Sequence, residues 1–489
     1  MTLSRAIGNA YSGLSNSAYR ADVTASNIAN ASTPGYVRRS AISVESVVGG
    51  YGNGVRTAGV ERHQDVGVSR LRREADGSAA RADVLAGAYS LIDRELGVPG
   101  ESNSLFSGFS ALETSLRELA STPESPALQN SVLVASTELA FQFNSLSSFA
   151  NTMRSNADKQ IGASVQTVND ALNRLKDING DIAGRQAASS DTVALEDERQ
   201  RLLDTIGEII PIKDHPREGG QVDVVTQNGV VLLAGSVNEL EFRPSAVVTA
   251  DNVYRADNTG LSGVYVGDQN LTPAANGNFS LSSGKLSGYF SIRDNVGTEF
   301  QAEIDALAGD LISRFSDDSI DSTKPAGAPG IFTDAGGPLN PANTAGLAGR
   351  LSLNAAIDPS QGGTVTRFRD GLAAATEGPK GQSDILLNMV EAMTSVNAAP
   401  AGSKLGGVLS SSDLVAQVSS MFGEGRIRHE SLALAADTRA SVLKDAEIQA
   451  SGVDTDYELQ NMLIIEQAYA ANARVVQTVG DMLDRLLQL

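Results

Sequence analysis

The sequence predicts an α+β protein that is mainly α, with long coiled-coil helices at both termini and a discontinuous helical domain carrying β-rich and loop-rich insertions. Three observations lead there. Apolar or small residues recur in alternating steps of three and four near both ends of the 489-residue chain. Aromatic residues make up only 5% of the sequence, so the interior is built mainly from Leu, Val, Ile and Ala, which suits long helices and thin packed layers. At residue 212 the texture changes from helical periodicity to short alternating runs separated by turn signals.

The N-terminal seam runs through Leu3, Ile7, Ala10, Leu14, Ser17, Ala21, Thr24 and Ile28. Several of its positions are small or polar, so the helix is marginal on its own in water. It leads into the stretch SNIANASTPGY at 26–36, which contains Ser26, Asn27, Ile28, Asn30, Thr33, Pro34, Gly35 and Tyr36. Pro34 disfavours helix at Thr33, and Pro34-Gly35 suits the centre of a type II turn in which Gly35 takes a positive φ. The helix is therefore expected to stop near Asn30 or Ala31, where the chain reverses.

Farther along, Ile161, Val165, Val168, Leu172, Leu175, Asn179 and Ile182 form another heptad seam. Leu195, Leu202, Ile206 and Ile209 mark a following helix that Pro211 ends. Gln221–Thr226 reads as a strand and Val230–Leu233 as its partner, joined by the hairpin signal Asn228-Gly229. Strand-like pieces continue to about 282. Phe300, Ile304, Leu307, Leu311 and Phe315 lie on one face of another helix, and the segment from Leu414 to about Ala450 is helix-rich. Residues 317–380 hold 10 Gly and 6 Pro and read as loop. The C-terminal seam is Met462, Ile465, Tyr469, Asn472, Val476, Val479, Leu483 and Leu486, where a lone amide, Asn472, suits a register-fixing role.

These elements imply a nested organisation. Residues 1–50 with 451–489 form the inner terminal helices. Residues 51–211 with 283–316 and 381–450 form the helical domain. Residues 212–282 are a β-rich insertion and 317–380 a Gly/Pro-rich one. Residues 1–39 carry four Arg against one Asp, while 451–489 carry two Arg against six acidic residues, so the two ends are electrostatically matched. Pairing of the two end helices is expected, although two unrelated surface helices would show similar periodicity.

The net charge of −20 argues against nucleic acid as a partner. With no cysteine, disulfides and thiolate metal sites are excluded. The first residues lack the apolar core of a secretory signal, and no run of 18 or more apolar residues exists, so no membrane insertion is expected. This pattern fits a cytoplasmic protein or one exported unfolded by a signal-less route. His63, His215 and His429 have no ligand-spaced neighbour, Gly284-Lys285 is followed by Leu286 rather than a hydroxyl residue, and no nucleophile elbow is present. No catalytic, cofactor-binding or metal site is expected, and no cofactor.

SNIANASTPGY closely resembles the N-terminal signature of the bacterial flagellar axial proteins of rod, hook and hook-associated type. The C-terminal SGVDTDYELQNMLIIEQAYAANARVVQTVGDMLDRLL, above all QAYAANARV at 467–475, resembles the hook-associated protein 1 (FlgK) family, as does ALEDERQRLLDTIGEIIPI at 194–212. The resemblance implies a structural subunit of the hook–filament junction, exported by the flagellar type III apparatus, extracellular once assembled and transiently cytoplasmic before that. It implies self-assembly through Leu3, Ile7 and Leu14 on one end and Met462 to Leu486 on the other. Further implied partners are the hook protein, the second junction protein (hook-associated protein 3) and a cytoplasmic export chaperone, with Met462, Ile465, Tyr469 and Val476 as candidate chaperone anchors. The competing readings are another axial protein of distal rod or hook type, and an axial protein carrying a wall-hydrolase module.

Overall fold

A computed structural model describes residues 3–33, 35–48, 51–97, 101, 104–188, 190–255, 259–275 and 277–487. In chain order the elements are α1 (Leu3–Ala29), β1 (Arg39–Val48), β2 (Tyr51–Arg62), α2 (Val66–Leu96), α3 (Leu105–Ser121), α4 (Pro126–Ala187) and α5 (Val193–Ile209). Then come β3 (Ile212–Pro216), β4 (Val222–Thr226), β5 (Val231–Ala234), β6 (Ser236–Val237), β7 (Tyr265–Val266), β8 (Gln269–Asn270), α6 (Gly284–Ser291) and α7 (Gly297–Ser316). The last are β9 (Phe332–Asp334), β10 (Leu351–Leu353), α8 (Arg367–Asp370), α9 (Asp384–Thr394), β11 (Asn397–Ala398), β12 (Val408–Leu409), α10 (Ser411–Ser451) and α11 (Thr455–Leu487). The protein is mainly α with small antiparallel sheets. No helix among the described residues is long and apolar enough to cross a membrane.

The chain divides into two compact units. One comprises residues 1–79, 166–240 and 435–489, the other 80–165 and 241–434. Three of the four limits fall inside α2, α4 and α10 and the fourth, after Leu240, falls within the β-rich insertion, whereas the sequence places its boundaries where composition changes. Composition marks loops, but a long helix passes from one packing environment to the next with no compositional signal.

In the first unit, α1 pairs with α11 and carries the β1–β2 hairpin along its flank. Ser12 Oγ accepts from the Val55 N–H at 3.2 Å, and Asn16 Oδ1 accepts from the hydroxyls of Ser43 and Thr57. Strands β3–β4–β5–β6 form an antiparallel meander. Gly229 takes φ 90° in the β4–β5 turn, and β4 alternates inward Val222, Val224 and Thr226 with half-buried neighbours. Its edge is read by a buried amide of α4: Asn179 Nδ2 donates to the Val222 carbonyl at 2.8 Å, and its Oδ1 accepts from the Val222 N–H. α5 stops at Ile209; of the expected face Ile206 and Ile209 are buried while Leu195 and Leu202 are half-buried, and Val193 and Leu203 are buried instead.

The second unit has an apolar core. Phe300 of α7 stacks edge-on against Phe149 of α4 and Phe422 of α10, at 5.9 and 5.3 Å between ring centres. Ile304, Leu307, Leu311 and Phe315 line the same inward face. The Gly/Pro-rich stretch 317–380 is largely loop, yet it supplies Ile320, Ile331, Phe332, Leu347, Leu351, Ile357 and Phe368 to this core. A π-helical turn, Ile292–Val296, precedes α7. Two buried arginines gather around it. Arg293 pairs with Asp158 and Asp294 at 2.7 and 2.8 Å, and Arg154 donates to the carbonyls of Arg293 and Thr249.

Candidate functional site

The signature stretch folds around one amide. Asn27 is fully buried near the end of α1. Its Nδ2 donates to the Arg39 carbonyl at 2.8 Å, and its Oδ1 accepts from the Arg39 N–H at 3.1 Å and the Tyr36 hydroxyl at 2.9 Å. The side chain therefore substitutes for a strand neighbour and closes the loop between helix and hairpin. Ser26 and Asn30 finish the helix: the Asn30 N–H and Nδ2 both donate to the Ser26 carbonyl, and Ser26 Oγ lies 3.4 Å from the Tyr36 hydroxyl. Ile28 is half-buried and Thr33 exposed. The Thr33 carbonyl accepts from the Tyr36 N–H at 3.1 Å, and Gly35 takes φ 77°. A Cβ at Gly35 would stand 3.0 Å from Arg201 Cγ, so both conformation and space call for glycine. Pro34 lies outside the described residues.

The two arginines that follow make this turn a hub. Arg39 and Arg62, paired across the hairpin base, share one buried carboxylate on α5: Asp197 lies 2.5 Å from Arg39 Nη2 and 2.7 Å from Arg62 Nη2. The Arg39 guanidinium also covers the Tyr36 ring at 4.5 Å. Arg38 turns the other way, pairing with buried Glu458 of α11 at 2.7 Å and covering the Tyr457 ring at 4.6 Å. No periodicity or motif in the sequence singles out Arg38, Arg39, Arg62, Asp197 and Glu458. The only local signal was the Arg pair after a helix stop, and the partners are far away in the chain. A second ion-pair group joins α2 to its neighbours: Arg73 bridges Asp204 and Asp214, both at 3.0 Å, and Arg72 pairs with Asp204, Asp76 and Glu447. Despite a burial that raises it, the Asp214 carboxyl is held below its ordinary value by Arg70 and Arg73.

α1 and α11 run antiparallel. Asn461 Nδ2 lies 3.5 Å from Thr24 Oγ1, and a Cβ at Gly13 would be 2.7 Å from Asn472 Oδ1. The two contacts are eleven residues apart on each helix, so one register holds throughout. Ala10, Ser17, Thr24, Ile465 and Val479 are buried, while Leu3, Ile7, Leu14, Met462, Asn472 and Val476 are half-buried. The close approach at Gly13 explains the small residues of the N-terminal seam: they let the helix backbones come together around Asn472. Tyr469 and Leu483 are exposed, at 48% and 39%. By the register, Leu483 falls opposite the very start of α1 and so has little of that helix beside it. The side chain of Leu486 lies outside the described residues.

α11 carries a second apolar stripe that α1 leaves uncovered. Tyr457, Ile464, Val475 and Met482 are spaced by seven, eleven and seven residues, with Ala468 and Ala471 between them. The four large side chains are 43% to 60% exposed. Such a helix has two seams, one used within the chain and one free.

Chemistry of another kind is sparse. Among the described residues no group of His, Asp and Glu is arranged to hold a metal ion. A groove of about 700 Å³ beside α7 is lined by Thr298, Gln301, Asp305 and Ser313. The Asp305 carboxylate there is occupied by the N–H groups of Gly346 and Ala348 and by Gln301 Nε2, at 2.7 to 2.9 Å. Burial pushes its pKa up to about 6. His63 contacts Ser40 Oγ, and His429 stacks on Tyr89 at 4.5 Å. Burial moves the His429 pKa down. His215 is exposed on β3.

Comparison with known proteins places this architecture. The family model of the flagellar hook-associated protein FlgK helical domain matches residues 89–328. That of the flagella basal body rod protein matches 7–36, and that of the flagellar basal body rod FlgEFG protein C-terminal region matches 447–489. Flagellar hook-associated protein 1 of Bacillus subtilis (strain 168) is 25% identical over 503 residues, spanning 95% of this chain and 94% of that one. Its counterpart in Salmonella typhimurium is 24% identical over 572 residues, and that in Escherichia coli (strain K12) 25% over 558, each spanning 100% of both chains. Along nearly its whole length the chain is similar to proteins of the hook-associated protein 1 (FlgK) family. It is an axial structural protein of the bacterial flagellum. The solved FlgK hook junction protein from Burkholderia pseudomallei aligns over 54% of this chain and 46% of that one at 15% identity, with a TM-score of 0.45, a likeness too low to add to the assignment. The terminal segments match rod-type models while the middle matches a helical domain of its own. The signature turn and the α1–α11 pair thus occupy the two regions shared with rod proteins.

Proposed function

We propose that this protein is the subunit of the junction zone between hook and filament, exported by the flagellar type III apparatus and required for filament assembly. The observation that carries the reading is the free apolar stripe of α11. A helix that packs one seam on α1 and leaves Ile464, Val475 and Met482 in water is built to meet further subunits. The match to the FlgK helical domain over 89–328 favours a hook-associated position over a distal rod or hook one. The role is structural rather than enzymatic, and no catalytic constellation among the described residues speaks for a hydrolase module.

The neighbours on this reading are further copies of the same chain, the hook protein and hook-associated protein 3. Before export a cytoplasmic chaperone holds α11 through Met462, Ile465, Tyr469 and Val476. Ile465 is buried beneath α1 in the folded chain, so the chaperone takes the place of α1. Titration calorimetry of the full chain with the cognate chaperone should show binding that Ile465→Asp weakens. Equal binding by that variant removes Ile465 from the contact. The central test is deletion of the gene. Hooks without filaments, with flagellin shed to the medium, are expected, and normal filaments in the deletion strain overturn the assignment.

A further inference from the structure

The break between α10 and α11 has an unusual cause. α10 ends at Ser451 and α11 begins at Thr455, but Gly452-Val453-Asp454 holds no proline and Gly452 is not in the left-handed region. Nothing in the local sequence forbids continuation. The Ser451 carbonyl, which in an unbroken helix accepts from the Thr455 N–H, accepts instead from the Arg38 N–H at 2.9 Å. Ser451 Oγ accepts from the Asp65 N–H at 3.1 Å. Arg38 and Asp65 flank the two ends of the β1–β2 hairpin, and the His63 N–H donates to the Arg38 carbonyl at 2.9 Å. The base of the hairpin is thus inserted into the break as one piece.

We propose that Ser451–Asp454 is a two-state hinge, held broken by the main chain at the hairpin base, and that release of the hairpin base joins α10 and α11 into one helix. Three further features fit a latch that is closed but not deeply so. Asp454 caps the start of α11 by accepting from the N–H groups of Asp456 and Tyr457 at 3.0 and 3.1 Å, which makes the broken state a proper helix start. Glu458 meets Arg38 through one carboxylate oxygen, while its buried Oε2 has no partner. A half-satisfied buried carboxylate is a cost to the latched state. Finally, a Cβ at Gly452 would collide with the Ile448 carbonyl in the broken form, whereas a regular helix accepts alanine at any interior position. Glycine here permits the break. A partner that engages the hairpin thereby changes the path of α11, and with it the direction of the free apolar stripe.

The inference stands apart from the junction role, because it is tested on the soluble full-length chain and not on filament assembly. Gly452→Ala combined with Asp454→Ala penalises the broken form and removes its cap. Hydrogen exchange read residue by residue should then move in opposite directions: about tenfold slower at Thr455 and about tenfold faster at Arg38 and Asp65. Arg38→Gln, which leaves Gly452 and Asp454 in place and opens the latch from the other side, should give the same reciprocal pattern. Unchanged rates in both variants, or faster exchange at all three amides, overturns the hinge, because the break is then either fixed or simply loosened.

Discussion

All 13 phenylalanines lie in the unit formed by 80–165 and 241–434, and none in the unit that contains both termini. The first of these has a core of aromatic and aliphatic side chains closed on itself. The second has an aliphatic core without phenylalanine, with Leu172, Leu175, Ile206, Val224 and Leu232 fully buried, and adds to it the amide at Asn27, Asp197 between two arginines, the Arg72–Arg73 group and a helix pair that leaves apolar surface in water. The difference separates two ways of being stable. A Phe/Leu core completes its burial within one chain. A unit that joins a purely aliphatic core to directional polar ties keeps its geometry while retaining a free apolar stripe for other chains.

That contrast is sharpest where a single side chain is removed. Phe300→Ala, which empties the meeting point of Phe149 and Phe422, should cost ~3–5 kcal/mol. Chemical denaturation monitored by hydrogen exchange should place the loss among the amides of the phenylalanine-rich unit. An equal loss in both units would mean that they unfold as one. Asp197→Ala leaves the half-buried Arg39 and Arg62 without their shared anion and should cost about 3 kcal/mol, felt in the terminal unit. A loss below ~1 kcal/mol would show that water or other carboxylates replace it.

Asp305 tests the apolar unit by its charge. Its carboxyl is raised to about 6 by burial, against roughly 3.9 in an unfolded chain. The folded state therefore holds this proton more tightly. The destabilisation due to the buried charge is fully present above pH ~6 and is relieved as pH falls toward ~4, by roughly 2–3 kcal/mol at most. Thermal unfolding of Asp305→Asn should lack this component, so the stability difference between variant and wild type should change between pH 7 and pH 4.5. A constant difference contradicts the shift.

Smaller effects are expected at the signature. Asn27→Ala strands the Tyr36 hydroxyl and both main-chain groups of Arg39, for about 1–3 kcal/mol, with faster exchange confined to the 27–39 region. Ile464→Asp should leave the melting temperature of the monomer nearly unchanged, since the side chain is 60% exposed, yet block assembly by placing charge on the free stripe. Normal filaments in that variant would remove the stripe from the subunit contact.

Several features were legible without coordinates because they are local. The seam from Ile161 to Ile182 is buried at every position singled out, and so is the Phe300–Phe315 face. Asn228-Gly229 makes its hairpin and Pro211 follows a helix end. Periodicity reports which face of an element is apolar, and turn residues report where φ must be positive. Neither reports partners. Residues 317–380 read as loop from their Gly and Pro content and are loop, but their contribution of Phe332 and Phe368 to a core depends on neighbours elsewhere in the chain.

The sequence alone determined the helical frame, the end of α1 before Tyr36 and, through the signature stretch, the kind of protein this is. Tertiary structure decided which face of α11 is covered by α1 and which stays free, that Asn27 reads the backbone of Arg39, and that Arg38 finds Glu458 while Arg39 finds Asp197. Those partners lie 420 and 158 residues away along the chain. A periodic pattern is set by backbone geometry within a few residues, whereas the pairing of a buried charge is set by whichever distant element supplies its counter-charge.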